Sequence, residues 1–321
     1  MNASRVIGNA KLGRMRAPTG DQYELTREND GVVQHAVITQ VGAALRGFTV
    51  GGIDIAEPYP QTSTPPSGAG IVLVPWPNRV KDGAWILNGE EQLLALTEPA
   101  RDNAIHGLLR YSEYRPVEIG RDALTLAATV YPQLGYPFLL DTTVRYDLGD
   151  DGLHVTHTIS NVGDGTAPVA VGTHPYLRIG DVPTGDLKLT VNAASHVDVD
   201  DRLNVIGRSP VAGGPYDIRD KRVAELELDD GWADVEFVGG RSIHTLTAPD
   251  GRVVELWGDS NFGYVQVYTS RDFKTDTVSD VAIAIEPMTA PANALNSGES
   301  LHWLEPGETW TAQWGIAPRG F

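Results

Sequence analysis

Apolar and polar residues alternate with a period of two through most of the chain. That is the pattern of strands that bury one face. In residues 140–148, Leu140, Thr142, Val144, Tyr146 and Leu148 share one side, and Asp141, Thr143, Arg145 and Asp147 share the other. Residues 186–193 repeat it, with Leu187, Leu189 and Val191 opposite Lys188, Thr190 and Asn192. The same reading predicts strands at 33–40, 123–131, 153–160, 253–257, 264–269 and 281–285. Clusters of turn formers separate them, such as Gly149–Gly152 and the run from Asn161 to Pro168. No stretch of helical period exceeds two turns, no repeat of fixed length is present, and no low-complexity linker divides the chain. The prediction is an all-β protein, a large antiparallel β-sandwich spanning 1–321 as one domain, with residues 1–20 as a loose N-terminal tail.

Two predicted strands share a construction. In residues 169–174, Val169, Val171 and Thr173 point one way, and Ala170, Gly172 and His174 the other. In residues 281–286, Val281, Ile283 and Ile285 oppose Ala282, Ala284 and Glu286. Each strand has a bulky face and a face of tiny residues ending in a titratable side chain, and the tiny residues predict a concavity. Gly172 is expected to clear space beside His174. Pro175 and Pro287 are expected to end the two strands. Singly, His174 reads as a hydrogen-bonded core histidine and Glu286 as a strand-end carboxylate. As a repeated pattern they read as an acid–base pair, because a part-buried carboxylate drifts towards a useful base and an imidazole titrates near neutrality.

Composition narrows the partners. With 35 Gly and 21 Pro among 321 residues and 41% hydrophobic residues, neither a helical bundle nor a disordered tail is expected. The excess of 42 acidic over 25 basic residues gives a net charge of −17, which repels nucleic acid and acidic membrane surfaces. The absence of Cys excludes disulfides, thiolate catalysis and Cys-ligated zinc. The first thirty residues hold no apolar signal core, and no apolar run approaches the ~20 residues that span a bilayer. A cytoplasmic protein is the expectation, as a monomer or homodimer.

Other candidates are weaker alone. Asn78 and Arg79 lie in a Pro-punctuated loop, where a surface arginine is the simpler reading. His106 precedes a glycine and reads equally well as a structural loop histidine. His154 and His157 fall on opposite faces of a strand and form no chelate, while His35, His196, His244 and His302 lie in no defensible cluster. Asp198, Asp200 and Asp201 lack the glycine and closing Glu of a calcium loop. No metal site is expected.

Taken together, NRVKDG (from Asn78), NAIHG (from Asn103), GTHPYL (from Gly172), YVQVYTS (from Tyr264) and IEPMTAPANALNSG (from Ile285) resemble, in order, the aldose 1-epimerase (galactose mutarotase) family. The segment HVDVDDRLNVIG from His196 is also similar to the family's stretch between its middle strands. The resemblance implies a large antiparallel β-sandwich that interconverts the α and β anomers of a small free sugar without a cofactor. It implies Glu286 as the base at the C1 hydroxyl and His174 as the acid at the ring oxygen. Asn78, Arg79, His106 and Gln266 would hold the sugar, with Asp229, or its neighbour Asp230, as a hydroxyl-binding aspartate. Where the family often has G-R-x-x-N-R-I, this chain has V-P-W-P-N-R-V, a difference that bears on the choice of sugar. Three other readings stand beside it: a hexose-6-phosphate 1-epimerase using cations such as Lys81 and Arg110, a glycosidase pairing Glu286 with Asp229, and a carbohydrate-binding sandwich without turnover.

Overall fold

The computed structural model describes residues 16–273 and 281–321. Alternation becomes architecture in a direct way. Along Leu140–Gly149 the residues Leu140, Thr142, Val144, Tyr146 and Leu148 are buried, while those between them face outward. The strand pairs on both sides, with Ala123–Val130 and Gly152–Asn161, inside an antiparallel ten-stranded sheet that continues through Thr309–Arg319, Val253–Gly258 and Arg241–Thr247.

A twelve-stranded sheet lies against it. Its path runs Gln22–Asn29, Val32–Thr39, Leu45–Val50, Ile53–Ala56, Tyr176–Leu177, Ala282–Met288, Tyr264–Ser270, Asp229–Val235, Ala193–Val199 and Val205–Pro210. The inner faces of both sheets meet in one apolar core, in which Val265, Val267, Ile283 and Ile285 pack with Val155, Leu256, Trp314 and Ile316. Each such side chain taken from water contributes about 1.5–3 kcal/mol towards offsetting the chain entropy of ordering the strands. Two large polar side chains inside the core find partners: Tyr146 donates its hydroxyl to the Ala43 carbonyl at 2.6 Å, and the Trp314 indole N–H donates to His157 Nε2 at 3.0 Å. Ala294–Ser297 is the one α-helical turn among the described residues. None of the helices described is long and apolar enough to cross a membrane.

Four expectations change. Residues 169–174 are not one strand: Ala167–Val169 pairs with His302–Leu304 in a separate ribbon, while Gly172–Thr173 joins the large sheet. The chain switches layers between them, and the Ala170 N–H and Val171 N–H are satisfied by the Pro75 carbonyl and Thr289 Oγ1. Pro287 does not end its strand, which runs on to Met288. The amides at Ile285 and Thr289 point towards the Pro175 and Val171 carbonyls, so the missing N–H at Pro287 falls on that side and spares the ladder to Tyr264–Ser270. Gly172 makes no room beside His174; a Cβ there would meet the Pro77 Cβ at 2.8 Å, so the glycine seats the loop that carries Asn78 and Arg79. Residues 186–193 also divide, Lys188–Thr190 pairing in the ten-stranded sheet and Ala193–Val199 in the other. Of the expected loose tail, residues 1–15 lie outside the described residues, whereas Thr19 is buried and its carbonyl accepts the Val41 N–H.

Asn192 turns the corner between the sheets. Its backbone N–H donates to His244 Nδ1 at 3.3 Å and its side-chain amide to the Ile243 carbonyl at 2.7 Å. Replacing Asn192 with Ala strands that carbonyl, and denaturant unfolding is expected to show a loss of about 1–3 kcal/mol without a change of fold.

Candidate active site

The strand Ala282–Met288 separates two environments. Val281, Ile283 and Ile285 face the core, while Ala282 and Ala284 receive the rings of Tyr59 and Tyr176. The concavity expected over the alanines is therefore filled by aromatic rings, and open space begins only at Glu286. Tyr176 in turn stacks on His174, with ring centroids 5.2 Å apart and planes 20° from parallel. His174 lies between two short strands, its backbone pinned by the Ile71 carbonyl and the Gly70 N–H. Its Nε2 stands 3.3 Å from Glu286 Oε1, with both side chains almost fully buried.

A second construction brings up Arg79. Arg79–Lys81 pairs antiparallel with Asn103–Ile105, Arg79 opposite Ile105. Asn78 and His106 cap the same end of this ladder, both in the left-handed region at φ 52° and 64°, and the His106 N–H donates to the Asn78 carbonyl at 2.9 Å. Asn and His are among the non-glycine residues that enter this region most readily. Gly107 follows at φ 68°, with the Val74 carbonyl where its Cβ would be. Asn78 Oδ1 accepts the Arg79 N–H at 2.8 Å, which locks the turn.

The Arg79 guanidinium is buried, against the surface reading. It donates two hydrogen bonds to Glu98, at 2.8 and 3.0 Å, and a third to Asp229 Oδ2 at 3.1 Å. Asp229 Oδ1 accepts from the Gln266 side chain at 2.9 Å, and Gln266 lies directly across the ladder from Glu286. Strand alternation sends Asp229 and Asp230 to opposite sides of the sheet. Asp229 faces the cleft, whereas Asp230 projects to the other side of the sheet and meets His196. His196 is thus clustered after all, between Asp230 and Asp198, and Asp200 accepts the backbone N–H groups of Arg202 and Asn204 in its own turn.

The result is a cleft of about 220 Å³ walled by Asn78, Arg79, Glu98, Arg101, Ile105, His106, His174, Asp229, Gln266, Tyr268 and Glu286. All seven residues singled out in the sequence stand on it. Glu98, Arg101 and Tyr268 were not foreseen. Nothing in the spacing of the TEPARDN stretch marks Glu98, which reaches Arg79 only because two distant segments pair. Lys81 and Arg110 are not on the wall.

Burial, followed by the neighbouring Asp229 charge, holds the Glu286 carboxyl well above the usual carboxylate range, against the opposite pull of Arg79. Burial draws His174 down to about 4, with its own backbone hydrogen bond and Asp229 acting the other way. His106 is drawn well down by burial and then by His174, Arg79 and Arg110. Burial thus disfavours charge on both members of the pair, whose facing atoms lie 3.3 Å apart. His106, His174 and Glu286 also offer ligand atoms within 4.8 Å of one another. Holding a zinc ion would require these to close to roughly 3.4 Å, given bonds near 2.1 Å.

The family profile described as aldose 1-epimerase matches residues 21–317. The chain belongs to the aldose 1-epimerase family. A relative in Escherichia coli K12, the uncharacterized protein YihR, is 32% identical over 277 residues, covering 85% of this chain and 87% of its own. Among solved structures, the GalM/aldose epimerase homologue of C. elegans superposes with a TM-score of 0.79 at 16% identity, over 93% of this chain and 98% of that one. Galactose 1-epimerase of Lactobacillus acidophilus does so with a TM-score of 0.72 at 19% identity, over 93% and 98%. At such identities these two likenesses speak for the fold, which is the galactose mutarotase-like sandwich.

The raised pKa has a stability consequence. A carboxyl that folding pushes up favours the native state while protonated, and that contribution is lost as pH rises through its folded pKa. A neutral amide avoids the loss. Glu286→Gln is therefore expected to melt a few degrees above the native protein at neutral pH, with the gap widening as pH increases and closing towards pH 4. Thermal melts across that range check it.

Proposed function

We propose that this protein interconverts the α and β anomers of a free aldose, with Glu286 as base and His174 as acid. The observation that carries the reading is the base–acid pair, 3.3 Å apart at the floor of a cleft otherwise lined by hydroxyl-binding groups. Family membership supports the reaction class.

The chemistry needs one proton removed and one delivered. Glu286 takes the proton of the C1 hydroxyl, the O1 lone pair forms the carbonyl, the C1–O5 bond breaks, and His174 gives its proton to O5. Rotation about C1–C2 presents the other face of the aldehyde, and the reverse transfers close the ring as the other anomer. The protein gains and loses no net proton. Reaction requires the microstate with Glu286 ionised and His174 protonated. Burial opposes that microstate, while Arg79 favours the carboxylate and Asp229 the imidazolium. Sugar hydroxyls that hydrogen-bond the two charges tilt the balance further.

Arg79, His106, Asp229 and Gln266 would grip hydroxyls, since each presents polar atoms to the cleft in a fixed orientation. Both cations on the wall, Arg79 and Arg101, are already engaged by Glu98. That engagement favours a neutral sugar over a sugar phosphate. Asp229 is committed to Arg79 and Gln266 and leaves Glu286 without a second free carboxylate of the kind glycoside hydrolysis uses.

Polarimetry of freshly dissolved α-glucose and α-galactose tests the reading. The native protein is expected to hasten anomeric equilibrium, Glu286→Gln and His174→Asn to lose about a hundred- to ten-thousandfold in kcat, and Asp229→Asn to act mainly on KM. An unchanged kcat in Glu286→Gln would overturn the mechanism. Sugar binding without acceleration for any free aldose would favour a binding module.

A further inference from the structure

His196 has no part in the reaction, yet it is among the most tightly specified side chains of the sheet. It is buried, and both ring nitrogens meet carboxylate oxygens: Nδ1 lies 2.8 Å from Asp198 Oδ1 and Nε2 2.9 Å from Asp230 Oδ1. An ionised carboxylate only accepts, so both nitrogens must donate, and only the imidazolium does that. The ring lies flat on Tyr216, with planes 5° apart, and meets the edge of Trp232. Asp198 has a second donor in the Ser209 hydroxyl at 2.8 Å. The titratable groups facing the ring are Asp198 on its own strand, Asp230 on the neighbouring strand and Tyr216 in the loop above.

The connection to the cleft runs through one residue. The other oxygen of Asp230, Oδ2, accepts the backbone N–H of Asp229 at 3.2 Å. Asp229 is the first residue of its strand, where the ladder offers least restraint, and its carboxylate bridges Arg79 and Gln266. Strand alternation thus places a structural aspartate and a cleft aspartate back to back, with the histidine behind them.

We infer that His196, held as an imidazolium between Asp198 and Asp230, is a positioning residue that fixes Asp229 and so sets the affinity of the cleft for sugar hydroxyls. The inference rests on the proposed function for its ligand, though not for its charge. A neutral ring would donate to only one of the two carboxylates and lose the positive charge that draws both. Asp230 would then loosen, and with it the start of the strand that carries Asp229. Burial alone would lower the His196 pKa, but the hydrogen bonds to Asp230 and Asp198 outweigh it and raise the value above the ordinary imidazole. Affinity should therefore be full below that raised pKa and fall as pH passes above it.

The test combines kinetics, binding and spectroscopy. His196→Gln is expected to raise KM for an accepted aldose about tenfold while kcat stays within about twofold, and to abolish the rise of KM with pH. Asp230→Asn, which removes the charge while keeping the shape, should do the same and serves if the first variant does not fold. In an Asp229→Asn background, His196→Gln should add nothing, since its effect passes through Asp229. Additive effects in that cycle, or a KM unchanged in both single variants, would overturn the inference. If the native protein accelerates no anomerisation, the proposed function fails. The inference is then read from calorimetric sugar affinity and from the imidazole ¹⁵N shifts of His196. Two protonated nitrogens at pH 7 are expected, and a single one would overturn it.

Discussion

Arg79 is a guanidinium buried in the wall of a cleft, and its charge has to be matched from two sides. Glu98 supplies two hydrogen bonds and Asp229 a third. A buried cation deprived of a partner costs several kcal/mol, so the three groups hold one another in place. The consequences extend across the site. Asp229 is drawn to the position where it also fixes Gln266, and Gln266 lies opposite Glu286 on the adjacent strand. The field of Arg79 then favours the ionised form of a carboxyl that burial would otherwise keep protonated. One ion cluster thus sets both the geometry of the wall and the balance of the pair on the floor.

The two sheets make this possible by dividing labour. Their inner faces supply apolar burial, and the outward side of the larger sheet is free to carry the polar side chains of Asp229, Gln266 and Glu286. Because side chains alternate strictly along a strand, neighbouring residues serve opposite purposes: Ile285 packs in the core while Glu286 forms the floor of the cleft, and Asp230 meets His196 while Asp229 meets the ligand space. The layer above the sheet is built from short, irregular pieces, where strained turns at Asn78 and His106 hold groups at angles a regular ladder would not allow.

Much of this was legible in the chain. Alternation in residues 140–148 and 281–286 carried over to the structure residue by residue, because burial of one face is a local property of a strand. Prolines were harder to read. Pro287 sits inside its strand because the missing amide lies on the side away from the ladder to Tyr264–Ser270, and which side an amide faces depends on the partner strands. Glu98 was invisible for a related reason, since its partner lies 19 residues away across a pairing that no periodicity announces.

The resemblance to the aldose 1-epimerase family supplied the sugar and most of the cleft residues. By itself, the order of residues determined the fold class, the two faces of the Glu286 strand and the candidacy of His174 and Glu286 as an acid–base pair. Those follow from the period of two and from side-chain chemistry, which are local. Tertiary structure decided which of two adjacent aspartates faces the cleft, that Arg79 is buried rather than exposed, that aromatic rings fill the space over the alanines, and that His196 is gripped by two carboxylates. Each of these depends on the registers of distant strands, and electrostatic partners are chosen by distance in space rather than by separation along the chain.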